Sequence, residues 1–172
     1  MMKTKEGISV RSVFIFLIAC LCIGLYDYWL FGFGRDFISL FILQLYLLII
    51  TPEDCKHHTI SNLATMIFAV MFLIVRITSM DLYELLDAAA GSTVSLVLLG
   101  IPYMIRREWI GTGDVKAMAC CGIILGLFGV LHFMFRVFLF VAAYCVIQLV
   151  RKKIEMKSEV PMAPFMLLAA LI

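Results

Sequence analysis

Six apolar runs of roughly 16–20 residues recur along this chain, close to the about 20 that a helix needs to cross a hydrocarbon core about 30 Å thick. They cover roughly residues 12–31, 37–53, 59–78, 86–105, 115–130 and 134–150. Short charged or turn-forming breaks separate most of them: residues 54–58 (DCKHH), 79–87 (SMDLYELLD), 106–114 (RREWIGTGD) and 151–159 (RKKIEMKSE). The chain is 64% hydrophobic and 15% charged, whereas soluble domains are about 45–50% apolar and about 25% charged. So little polar material cannot cover a water-facing surface of this size. The sequence therefore reads as all-α: a polytopic membrane helical bundle.

The N-terminus, MMKTKEGISVRS, has the polarity of a signal peptide. The apolar stretch after it runs from about Ser12 to Leu30 with no A-x-A-like cleavage site, so it reads as a first span. With this end inside the cell, the inner segments collect Lys3, Lys5, Arg11, Lys56, Arg106, Arg107, Lys116, Arg151, Lys152, Lys153 and Lys157. Arg35, Arg76 and Arg136 remain outside. Between the fifth and sixth runs only His132 and Arg136 mark a break, near 130–135. Fusing residues 115–150 into one helix would carry Arg151, Lys152 and Lys153 outside, against the positive-inside rule. Six spans are expected in the cytoplasmic membrane, with a hydrophobic tail over 161–172 too short to cross alone at 1.5 Å per residue.

No repeat or long linker divides the chain, so residues 1–172 read as one integral-membrane domain. Gly122 and Gly126, with Ala119 a turn earlier, form a small-residue face suited to close helix packing. Asp81, Glu84 and Asp87 read as a solvated acidic face. The six cysteines form no C-x-x-C pair and read as small buried hydrophobes, apart from Cys55. No basic run with interleaved aromatics indicates nucleic-acid binding. His57 and His58, beside Cys55 and Asp54, lack H-E-x-x-H spacing, so no metal site and no cofactor are expected. The bilayer is the one partner that composition implies.

Two polar segments fall on the same side in this topology: Thr51–Asn62, and Trp109–Lys116 leading into the fifth span. Each places an aspartate, Asp54 or Asp114, at a cytoplasmic helix end, where it reaches water without crossing hydrocarbon. Two carboxyl groups at a common depth suit water-mediated peptide hydrolysis. One, ionised, takes a proton from water, while the other, protonated, polarises the scissile carbonyl. Close carboxylates cannot both ionise cheaply, so they titrate as a pair away from the usual value of about 3.9. Gly111 and Gly113 leave room for a substrate strand beside Asp114.

Gly111-Thr112-Gly113-Asp114-Val115-Lys116 resembles the G-x-G-D-x-K signature of type IV prepilin peptidases. Asp54, followed by Ile60-Ser61-Asn62, is similar to that family's other motif, an Asp several residues before Ile-Pro-Asn. Val160-Pro-Met-Ala-Pro164 resembles the start of the family's last helix, and the likeness covers roughly residues 40–172. It implies a membrane aspartic endopeptidase with Asp54 and Asp114 as the catalytic pair. The implied substrate is a prepilin or pilin-like protein with a basic leader before a hydrophobic helix. Ser61 departs from the family's proline. The paired C-x-x-C domain of bifunctional members is missing, which implies the short, peptidase-only branch without methyl transfer.

Other readings of the same residues are plain helix capping by Asp54 and Asp114, and an interfacial charge at Lys116. A peptidase resembling the lipoprotein signal peptidase would place its pair toward the outer face. A small transporter or assembly subunit would use the aspartates to bind protons or cations.

Overall fold

The computed structural model describes residues 10–32, 34–57, 59–78, 81–106, 110–151 and 161–172. Among these, every regular element is a helix: α1 (Val10–Phe31), α2 (Arg35–His57), α3 (Asn62–Ile77), α4 (Leu82–Ile105), α5 (Thr112–Val150) and α6 (Ala163–Ala170). Arg35–Cys55, Leu82–Ile105 and Thr112–Val150 are long and apolar enough to cross a membrane; Ile18–Trp29 and Asn62–Ile77 are shorter apolar helices. The expected all-α membrane bundle is the observed fold. His58, Glu108, Trp109 and the Lys152-Lys153 pair lie outside the described residues.

The chain divides within α2 into two compact units, one ending at Phe41 and the other running from Ile42 to Ile172. In the first, Phe37 stacks on Phe41 at 5.9 Å and meets the edge of Tyr28 at 6.4 Å. Gly24 faces the Phe41 ring, where an added methyl would sit 3.2 Å from it. Asp27 is buried, while Tyr26, Tyr28 and Trp29 are exposed.

In the second unit the core begins with a stripe on α2. Leu43, Tyr46, Leu47 and Ile50 recur at three- and four-residue spacing and are all buried. Tyr46 packs on Phe68 and Phe72 of α3 at 5.1 and 5.9 Å, and its hydroxyl lies 3.2 Å from Thr65 Oγ1. The opposite faces stay apolar and exposed: Leu63, Met66 and Ile74 on α3, Val97 and Ile101 on α4, Phe128 and Phe135 on α5. Lipid, unlike water, makes no demand on such a surface.

Gly126 breaks α5 with φ 71° and ψ −174°. A straight helix would carry Tyr144 about 45 Å from Asp114, at 1.5 Å per residue. Instead Tyr144 packs against Phe165 at 5.3 Å, and Ala163, two residues before Phe165, bonds Asp54, whose charge acts on Asp114. The chain therefore bends sharply at Gly126, and α5 is two helices joined at that break. The expected break between the fifth and sixth runs is present, but it lies at Gly126 and not at 130–135. The piece before it, residues 112–125, is therefore about 21 Å long at 1.5 Å per residue, shorter than the expected span. His132 and Arg136 sit inside the second helix.

A broken apolar helix must re-satisfy its freed backbone groups. Arg76 of α3 does so on one side, donating from Nε to the Ile123 carbonyl at 3.2 Å and from Nη2 to the Ile124 carbonyl at 2.7 Å. Asp87 of α4 does so on the other, accepting the Leu127 N–H at 3.0 Å. Arg76 also pairs with Glu84 at 3.5 Å and Asp87 at 3.7 Å. Glu84 and Asp87 are thus structural partners of the break and not a solvated face. Of that expected face, Asp81 caps α4, accepting from Tyr83 N–H at 3.0 Å.

Gly122 meets Gly91 of α4 backbone to backbone. A Cβ on Gly91 would lie 2.5 Å from the Gly122 carbonyl oxygen, and one on Gly122 would lie 2.6 Å from that of Gly91. The small-residue face read in the sequence is this crossing.

Candidate active site

Asp54 lies in the last turn of α2, inside the helix and not in the loop after it. It falls four residues after Ile50 on the buried stripe, so helical periodicity turns its carboxylate inward, and only 4% of the residue is exposed. Pro52 lacks an amide and removes a helical donor in this turn, while Thr51 Oγ1 bonds the Leu47 carbonyl at 2.6 Å. The N-cap of α3 is Ser61, in extended backbone (φ −61°, ψ 116°), so Asp54 does not cap that helix.

Burying a carboxylate is costly unless donors meet it. Asp54 Oδ2 accepts the N–H of Ala163, the first residue of α6, at 2.9 Å. The short tail is therefore a helix whose N-terminus abuts Asp54. Its other end is held by Gln44, ten residues earlier on α2, whose Nε2 donates to the Ala170 carbonyl at 2.9 Å.

Asp114 occupies the first turn of α5. The N-cap is Gly111, and the Asp114 carboxylate leans back toward it from the third helical position. A side chain on Gly111 would come within 3.1 Å of Asp114 Oδ2. Asp114 Oδ1 is buried and has no hydrogen-bond partner among the described residues. Gly113 packs on Ile60, where a Cβ would stand 3.0 Å from the Ile60 Cβ and 3.2 Å from its amide nitrogen. The second glycine thus permits contact between the start of α5 and the segment leading into α3.

Asp54 and Asp114, 60 residues apart in the chain, lie within electrostatic reach of each other. Asp54 is fixed by the Ala163 amide, and Asp114 lies against the Gly111 backbone. A carboxyl pair held in this way can activate one water between its members and polarise a carbonyl.

Lys116 and Asn62 meet each other and not the aspartates: Lys116 Nζ donates to Asn62 Oδ1 at 3.0 Å. Two residues along a helix is about a 200° rotation, so Lys116 and Asp114 leave α5 on opposite sides. On the Lys116 side, α3, α4 and the first half of α5 enclose a cleft of about 520 Å³. Thr65, Met66, Leu96, Ala119 and Ile123 line it, with Asn62 and Lys116 also at its wall.

Ala163 and Gln44 have no signature in the sequence. Any residue but proline supplies the Ala163 amide, and an isolated Gln in an apolar run does not name its partner.

Residues 38–146 match the type IV leader peptidase family, a stretch holding both aspartates, Gly111, Gly113, Asn62 and Lys116. No curated protein and no solved structure matches the chain.

Proposed function

The chain belongs to the type IV leader peptidase family, and on that premise we propose that it is a membrane aspartic endopeptidase that uses Asp54 and Asp114 to cleave the leader from a prepilin or pilin-like protein. The observation that carries this reading is a buried Asp54 held by one amide, with Asp114 within its electrostatic reach and one Asp114 carboxyl oxygen buried without a partner among the described residues. Structural carboxylates are usually paired with cations. Here the nearest motif cation, Lys116, bonds Asn62 instead.

In the reaction, the ionised carboxylate takes a proton from water as the water oxygen attacks the scissile carbonyl carbon. The protonated carboxyl gives its proton to the carbonyl oxygen, forming a neutral tetrahedral diol. Collapse of the diol breaks the C–N bond. The nitrogen leaves with the proton first taken from water, and a hydroxyl proton returns to the other carboxylate. The pair ends as it began, in one shared protonation state. The step needs no cofactor.

The substrate's apolar helix lies in the cleft between α3, α4 and α5, and its chain passes over the N-terminal end of α5 to reach the aspartates. Gly111 leaves that end without a side chain. Basic residues of the leader stay in the cytoplasm, which puts the pair at the inner face of the cytoplasmic membrane, with the N-terminus inside.

The test is co-expression with a prepilin and sequencing of the product's N-terminus. Asp54→Asn and Asp114→Asn should each reduce cleavage by about 10²–10⁴-fold, the usual weight of a general acid or base, while the protein remains folded in the membrane. Wild-type processing by either variant would end the proposal.

A further inference from the structure

We infer that α6 is part of the catalytic apparatus, with the Ala163 main-chain amide as the positioning group for Asp54. This rests on the aspartate-pair reading and extends it to a segment beyond the residues that match the family, which end at 146.

The amides at the start of α6 can be followed one by one. Pro164 has none, and the N–H groups of Phe165 and Met166 both go to the Met162 carbonyl at 3.0 Å. The Ala163 N–H points out of the helix into the Asp54 carboxylate. A helix terminus that presents one amide to an acid also aims the positive end of its dipole there. Ala163, Met166 and Ala169 are fully buried on one face of α6, and the Tyr144–Phe165 contact holds it to α5. Gln44 fixes its last turn, so α6 is tied at both ends to α2, the helix that carries Asp54.

With Oδ2 held by a main-chain donor, the Asp54 carboxyl cannot rotate freely about its terminal torsion, and the second oxygen is aimed by default. That is orientation of a reacting group, which acts on kcat more than on substrate binding. The tail 163–170 is thus an active-site brace and not an anchor.

The experiment uses the full chain in detergent or vesicles with a peptide carrying a basic leader and an apolar helix. Ala163→Pro deletes the N–H at the first helical position, where proline is tolerated. It should lower kcat by about 10-fold or more, as loss of one charge-assisted hydrogen bond does, with KM within about 3-fold; the melting temperature should fall as well, because Asp54 loses its donor, so kcat is measured per folded protein. Ala163→Ser keeps the N–H and should recover most of kcat. Should Ala163→Pro fold poorly, Gln44→Met releases the far end of α6 and should lower kcat several-fold at constant KM. Full kcat in Ala163→Pro, or equal losses in Ala163→Pro and Ala163→Ser, overturns the inference while an inactive Asp54→Asn leaves the pair reading standing. An active Asp54→Asn overturns both.

Discussion

Asp87 accepts the amide of Leu127 at 3.0 Å just past the break at Gly126, and Arg76, its ion-pair partner, holds the carbonyls of Ile123 and Ile124 just before it. One ion pair thereby closes both open ends of a broken helix. Gly126 is required there twice over. Its φ of 71° is left-handed, and a Cβ would collide with Asp87 Oδ2.

Arg76→Ala and Asp87→Ala should each destabilise the protein by about 1.5–3 kcal/mol, the worth of hydrogen bonds to charged groups. The double variant should cost clearly less than the sum, because the two act on one break. Thermal unfolding in detergent measures this. Strict additivity would show that the two residues act independently.

Gly91 and Gly122 touch through their backbones, so a side chain on either has no room. Gly122→Ala should push α4 from the first half of α5 and cost about 1–3 kcal/mol, the usual range for overpacking. Gly100, which has nothing within 4 Å of its added Cβ, is the control: Gly100→Ala should be neutral or stabilising. Equal melting temperatures for Gly122→Ala and Gly100→Ala would refute the close crossing.

Much of this was legible in the residues. Run lengths of about 20 gave the helices because the bilayer leaves few alternatives. The Gly111–Lys116 motif marked Asp114, and the stripe Leu43, Tyr46, Leu47, Ile50 continues onto Asp54. The break between the fifth and sixth runs is not legible from polarity. His132 and Arg136 are polar but helical, whereas the break sits in an apolar run and takes its polar partners from α3 and α4. Asp87 looked solvated for the same reason: its partner is a main-chain amide 40 residues away. The Ala163 amide was illegible in principle, since a backbone donor leaves no trace in side-chain identity.

Gly113→Ala tests how the glycine motif works. Its methyl would press on Ile60 at 3.0 Å, displacing the start of α5 and with it Asp114. Activity should fall about 10²-fold, because a shift of about 1 Å at a reacting group has that weight. Ile60→Ala, which removes the obstacle, should restore part of it in the double variant. No recovery in the double variant would mean that Gly113 serves the substrate strand and not the packing against Ile60.

The cleft on the Lys116 side can be filled from within. Ala119 lines its wall on α5 and Leu96 faces it from α4, both away from the aspartates. Ala119→Trp should project an indole into the 520 Å³ cleft and compete with the substrate's apolar helix. KM for a substrate carrying that helix should rise about 10-fold or more, with kcat little changed, since uniform binding is lost and the carboxyl pair is untouched. A soluble peptide lacking the apolar helix should be cut equally by wild type and variant. Should the longer substrate keep its KM, the helix lies elsewhere on the bundle and the cleft is a seat for lipid.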